Sequence, residues 1–258
     1  MSEPVTRPAE ISGWPKLVLR YETDPEALAA LLPPGLEPCG APSVQIGIYC
    51  VPVHDEPELG VSTKIAARYD GTDGWYSLGM GIDQEAAIFV SRETNGQPKF
   101  PCSVRYFRNG SRVEASCTHQ GRTFLTYSGT ASGSVALTGE ETHEDEWWIK
   151  VSRAVGGAEG AYDFAPHVVQ VHSSGIATHV EALDGELHLH DSPWDPYVER
   201  LPMRGDATAQ LVTTRHTGRA ITLRGALDPV GFWPFADTIG GSRWLGDRGG
   251  PGPSRSGG

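Results

Sequence analysis

The chain has 258 residues, enough for one large domain with a real core or two small ones. Its formal charge of −11 makes nucleic acid and anionic membrane repulsive partners, and no apolar run approaches the ~20 residues of a spanning helix. The 32 glycines and 20 prolines are spread along the length, which suits many short elements joined by turns and excludes a helical bundle.

The first residues, MSEPVTRPAE, lack the apolar core of a signal peptide, so a soluble cytoplasmic protein is expected. One helix is signalled early: Thr23 or Asp24 can cap it and Pro25 suits its first turn. Ala27, Leu28, Leu31 and Leu32 then give it an apolar face before Pro33-Pro34-Gly35 stops it. Val44–Val51, Arg112–Cys117, Val168–His172 and Glu186–His190 alternate polar with apolar residues and read as strands with one buried face. Asn109-Gly110 marks a tight hairpin turn. Thr142–Ile149 fits a short helix or the approach to a strand equally well. The aromatic stretch Gly231–Trp244 suits a pocket lid or a contact in a homo-oligomer, and the tail from Gly246 is too polar and glycine-rich to bury anything. The expected fold is mainly antiparallel β with few helices, closed or nearly closed around an apolar pocket, as one domain over residues 1–245 followed by a disordered tail, 246–258.

Chemistry concentrates at Lys99. Of 21 basic side chains only Lys16, Lys64, Lys99 and Lys150 are lysines. Lys99 follows the apolar run Ala86–Val90 and lies between Pro98 and Phe100-Pro101, where its amine could enter a dry pocket. Burial disfavours the ammonium, and a lysine so placed can be a nucleophile that forms a Schiff base with a carbonyl compound. The same residues also suit a solvated lysine in a proline-flanked turn.

The segment around it resembles the acetoacetate decarboxylase family, whose strand G-x-Y…D…A-I…G-R-E runs into a turn ending P-K-K. Gly74, Tyr76, Asp83, Ala87, Ile88, Arg92, Glu93, Pro98 and Lys99 match, with Ser91 in place of the usual glycine. Tyr21–Leu36 looks like the family's early helix and Glu186–Pro202 like its late strand and proline-rich loop. The resemblance implies the family's β-rich fold and Lys99 as the Schiff-base residue, with Tyr49, Tyr76, Gln97, Phe100 and Glu58 about the substrate and no cofactor. Phe100 stands where the decarboxylases carry a second lysine, which leaves desolvation to tune Lys99. The family's arginine aligns with Trp14 or a neighbour and one glutamate with Gly47, while the other is recovered as Glu58 only across a two-residue gap. Acetoacetate itself is therefore not the expected substrate. The expectation is a carbon–carbon lyase of aldolase-dehydratase or decarboxylase type acting on a carbonyl or keto-acid compound. A non-covalent cyclase or a binding protein on the same fold is the alternative.

Other chemistry is weaker. Cys39, Cys50, Cys102 and Cys117 have no CxxC spacing and read as reduced thiols. His188 and His190 would share a strand face, with His167, His172 and His179 on neighbouring strands, yet nothing completes a metal site and no metal is expected. Arg92 and Glu93 read as an ion pair supporting the turn.

Overall fold

The structure, a computed structural model, describes residues 14–53, 56–236 and 242–244. In chain order these form β1 (Lys16–Glu22), α1 (Pro25–Ala30), β2 (Ser43–Val53), β3 (Glu56–Tyr69), β4 (Thr72–Ile82), α2 (Glu85–Asn95) and β5 (Lys99–Pro101). There follow β6 (Ser103–Asn109), β7 (Arg112–His119), β8 (Arg122–Ser134), β9 (Glu141–Arg153), β10 (Tyr162–Leu189), α3 (Tyr197–Arg200), β11 (Arg204–Ala226) and α4 (Pro229–Ala236). The tail assigned to 246–258 lies outside the described residues.

The strands join in the order β11-β1-β2-β3-β4-β9-β10, and β10 pairs back to β11, so seven strands close into a ring. Every join in it is antiparallel except β4–β9, which is parallel. β5 adds to β4 in parallel, and β8, β7 and β6 continue outward from β10. Alternation along the strands gives the ring two faces. Leu17, Leu19, Ile46, Ile48, Val61 and Trp147 share one core with Val113, Cys117 and Phe124 of the outer strands and with Leu28, Tyr197 and Phe232 of the helices. The outer face of the ring is thus covered, and the alternate residues face inward.

Local chemistry explains the early helix. Asp24 accepts from the amides of Glu26 and Ala27 at 2.9 and 3.1 Å, Pro25 opens the first turn, and Leu28 is buried. The segment Ala86–Val90, read in sequence as part of a strand entering the lysine turn, is instead inside α2. Only Ile88 of the run is buried, while Phe89 and Val90 are largely exposed. Six residues after Val90, the left-handed Gly96 (φ +70°) ends the helix. Thr142–Ile149, ambiguous in sequence, is strand β9. The two strands expected at Val168–His172 and Glu186–His190 are one 28-residue strand, β10, whose first half pairs with β9 and whose last part pairs with β8. Register shifts near Val169, Gly175 and His179 bend it along β11.

No helix among the described residues is long and apolar enough to cross a membrane.

Candidate active site

Lys99 is placed by the turn that leaves α2. The Lys99 amide donates to the Gln97 carbonyl at 2.8 Å, the Met80 amide takes the Pro98 carbonyl at 2.9 Å, and an Arg92 guanidinium N–H donates to the Lys99 carbonyl at 2.9 Å. Arg92 therefore supports the turn through the backbone, and Glu93 is exposed. A Cβ at Gly96 would lie 2.5 Å from the Ile149 carbonyl oxygen, so this corner admits glycine alone.

Pairing then sets Lys99 at the end of a row. Lys99 is opposite Met80, Met80 opposite Ser62, Ser62 opposite Gly47 and Gly47 opposite Val18. These residues share the inner face. The lysine is 8% exposed, and its Nζ lies 3.3 Å from Glu58 Oε2, itself on a residue only 3% exposed. Glu58 is held where β3 begins: the Leu59 amide donates to Asp83 Oδ1 at 2.9 Å, the Asp83 amide to the Leu59 carbonyl at 3.1 Å, and Gln84 Nε2 to the Pro57 carbonyl at 2.8 Å. Burial raises the Glu58 carboxyl above its ordinary range, and the adjacent Lys99 pulls it back. The expectation that desolvation alone acts on Lys99 is corrected here, because a buried carboxylate stands against the amine.

The other residues named from sequence divide between the two faces. Tyr49 is on the inner face, its ring lying over Gly60, where a Cβ would be 2.5 Å from the tyrosine hydroxyl. Burial and then the charges of Glu58 and Glu146 push its hydroxyl up, and Arg219 opposes them. Those three groups stand on β3, β9 and β11, so side chains converge across the ring. Tyr76 and Phe100 turn the other way. The β3–β4 register shifts between Thr63 and Lys64, skipping Leu78, and this bulge reverses the pleat. Tyr76 is fully buried in the core, and its hydroxyl has no partner among the described residues. Phe100 packs on His119 at 4.4 Å between ring centres, behind the lysine strand, and His119 bonds Asp195 at 2.8 Å. Gln97 contributes its backbone to the turn.

Sequence reasoning missed a second charged group on the inner face. Lys64 pairs with Glu144 at 3.0 Å and with Glu146, and Trp148 Nε1 donates to Glu146. These pairs hold Lys64 well above and Glu144 below their ordinary ranges against the effect of burial. Lys16, at the start of β1, lies across Gly47, where an ideal Cβ would be 2.7 Å from its Nζ and 3.1 Å from Ser62 Oγ. Burial first, then Lys64, lowers the Lys16 amine to about 8. The facing wall is apolar: Met80, Trp148, Val169 and Val171 form a cluster apart from the main core, with the Arg219 guanidinium 5.8 Å from the Trp148 ring. Trp14, near which the family's arginine aligned, is instead exposed and packs on Tyr106.

The four cysteines are free thiols, and burial raises Cys102 to about 12. No cluster of metal-ligating side chains occurs among the described residues; His188 pairs with Glu186 at 3.2 Å, and His190 bonds Thr126.

The closed ring of strands is a fold shared with several solved enzymes. An acetoacetate decarboxylase structure superposes with a TM-score of 0.70 at 16% identity, over 83% of this chain and 88% of that one. The acetoacetate decarboxylase of Legionella pneumophila gives 0.67 at 16% identity, over 83% and 84%. The enduracididine biosynthesis enzyme MppR, solved with pyruvate, gives 0.62 at 17% identity, over 80% and 88%. The acetoacetate decarboxylase family model matches residues 2–225, and the chain belongs to that family. Acetoacetate decarboxylase 1 of Bradyrhizobium diazoefficiens is 35% identical over 108 residues, which is 38% of this chain and 42% of that relative's length.

Proposed function

We propose that the protein is a Schiff-base enzyme acting on a carbonyl or keto-acid substrate, a carbon–carbon lyase of aldolase-dehydratase or decarboxylase type with Lys99 as nucleophile. The observation that carries this reading is the Lys99–Glu58 pair on the inner face of the ring. Glu58 takes a proton from the ammonium, which frees the Nζ lone pair to attack the carbonyl carbon. The same carboxyl returns the proton to the carbinolamine oxygen, water leaves, and the protonated imine remains. The imine withdraws electrons from the neighbouring carbon. That stabilises the enamine formed when carbon dioxide, a proton or an aldol fragment departs. A carboxyl whose affinity for protons is raised by burial is suited to both transfers.

The solved fold relatives include MppR with pyruvate and MppR with the condensation product of pyruvate and imidazole 4-carboxaldehyde, which supports carbonyl chemistry beyond decarboxylation. Acetoacetate is a poor fit, because its carboxylate would stand close to the amine and meet Glu58. Incubation with a ketone or keto acid plus borohydride is expected to add mass to the Lys99 peptide, and Lys99→Ala to abolish both adduct and turnover with the fold retained. Wild-type enzyme that stays unmodified and active after this treatment refutes the covalent mechanism.

A further inference from the structure

Lys16 has no role in the chemistry just described, yet among the described residues it is an inner-face amine with no direct ion pair, held only at longer range by the charges of Glu144 and Glu146. Glu144 and Glu146 are both committed to Lys64. Among the described residues Lys16 makes no ion pair or hydrogen bond of its own, and Arg20, beyond Val18 on the same side of β1, is bonded through Nε to Gln45 at 2.7 Å. Lys16 is half-buried as a residue, and its amine lies in dense surroundings on the inner face. Gly47 makes this possible: with no side chain there, Lys16 lies over β2 towards Ser62, along the row that ends at Lys99.

We infer that Lys16 is the anchor for an anionic group remote from the reacting carbonyl, and that the substrate is an oxo acid whose carboxylate and carbonyl are separated by a short carbon chain. The inference rests on Lys99 as the imine-forming residue. Gly47, over which the Lys16 amine lies, and Lys99 stand three strand spacings apart, roughly 14 Å between backbones at ~4.8 Å per spacing, so a carboxylate at one amine and a carbonyl at the other must be the two ends of one molecule. With about 3 Å taken by an ammonium–carboxylate contact, such a separation calls for several carbons between the two groups. The wall between the amines holds Met80 and Trp148, which suits methylene groups. An arriving carboxylate also relieves a cation that burial and Lys64 both disfavour.

Borohydride trapping with 5-oxohexanoate, its neutral counterpart 2-hexanone and the short pyruvate tests this. In the wild type, 5-oxohexanoate is expected to half-saturate adduct formation at a concentration about tenfold or more below the other two, as a charge-assisted contact requires. Lys16→Met should bring 5-oxohexanoate to the level of 2-hexanone and leave 2-hexanone unchanged, and Lys16→Arg should keep most of the preference. Equal trapping of all three by the wild type, or equal loss of acid and ketone in Lys16→Met, overturns the anchor while the imine stands. If none of the three labels Lys99, the imine reading fails instead. Calorimetry of 5-oxohexanoate on Lys99→Ala, with and without Lys16→Met, then decides the anchor: binding that needs Lys16 sustains it, and no such binding overturns it.

Discussion

Replacing Glu58 by glutamine keeps the shape of the site and removes the charge facing Lys99. The side chains are 9% and 4% exposed and 3.3 Å apart, so neither is screened by bulk water. Removing one partner of a buried pair costs about 3–5 kcal/mol when the other stays charged, and Coulomb attraction at that distance with an effective dielectric near 20 is of the same order. At 1.36 kcal/mol per pH unit, the rising limb of imine formation should move down by roughly two to four units in Glu58→Gln. The sign follows from the charge: without the carboxylate the ammonium is disfavoured, and the neutral amine is reached at lower pH. The same substitution should destabilise the fold most near neutral pH, less at acid pH where the wild-type Glu58 is itself protonated, and progressively less as pH rises and Lys99 loses its proton. The limb is read from initial rates of borohydride trapping of a neutral ketone between pH 5 and 10, and stability from urea unfolding over the same range. A limb that stays in place together with a stability loss under about 1 kcal/mol would show that the pair has no energetic role, and would remove the basis for Glu58 as the proton carrier.

Two further outcomes are expected. Because the Lys16 amine is lowered to about 8, its cation opposes folding at neutral pH and that cost fades as pH rises from about 8 towards the free-lysine value. Lys16→Met should therefore raise the melting temperature at pH 7, with the gain shrinking by pH 10; a variant less stable than wild type at pH 7 refutes the argument. Gly96→Ala combines a left-handed backbone with a Cβ pressed on the Ile149 carbonyl, and should cost more than about 2 kcal/mol in denaturant unfolding. A loss under half of that would mean the corner yields easily and does not fix the lysine.

Legibility of the fold followed the range of the interactions. The α1 helix was readable because Asp24, Pro25 and the leucines act within one or two turns, and the hairpin because Asn109 and Gly110 carry their own dihedral preference. The α2 helix was not, because Ala86–Val90 suits a strand by composition, and its helical state depends on Gly96 fitting against the β9 backbone. Lys99 stood out through its immediate neighbours, and Glu58 through the resemblance. The placement of Tyr76 was hidden because one bulge at Leu78 reverses which side chains face inward, and no local pattern encodes that register shift. Lys16 was hidden for a related reason: its importance comes from a missing side chain on another strand, Gly47, and from two glutamates occupied elsewhere.

The β10 strand has a mechanical consequence. Its 28 residues carry hydrogen bonds to β9, β11 and β8, so the wall that encloses the chemistry and the outer strands hang on one uninterrupted backbone. Breathing of the ring cannot be confined to a local hinge, because loosening β10 at either end strips pairing from both assemblies at once. Amide protons of Val168–Val171 and of Leu183–Leu187 should exchange with solvent together, at the rate of global opening.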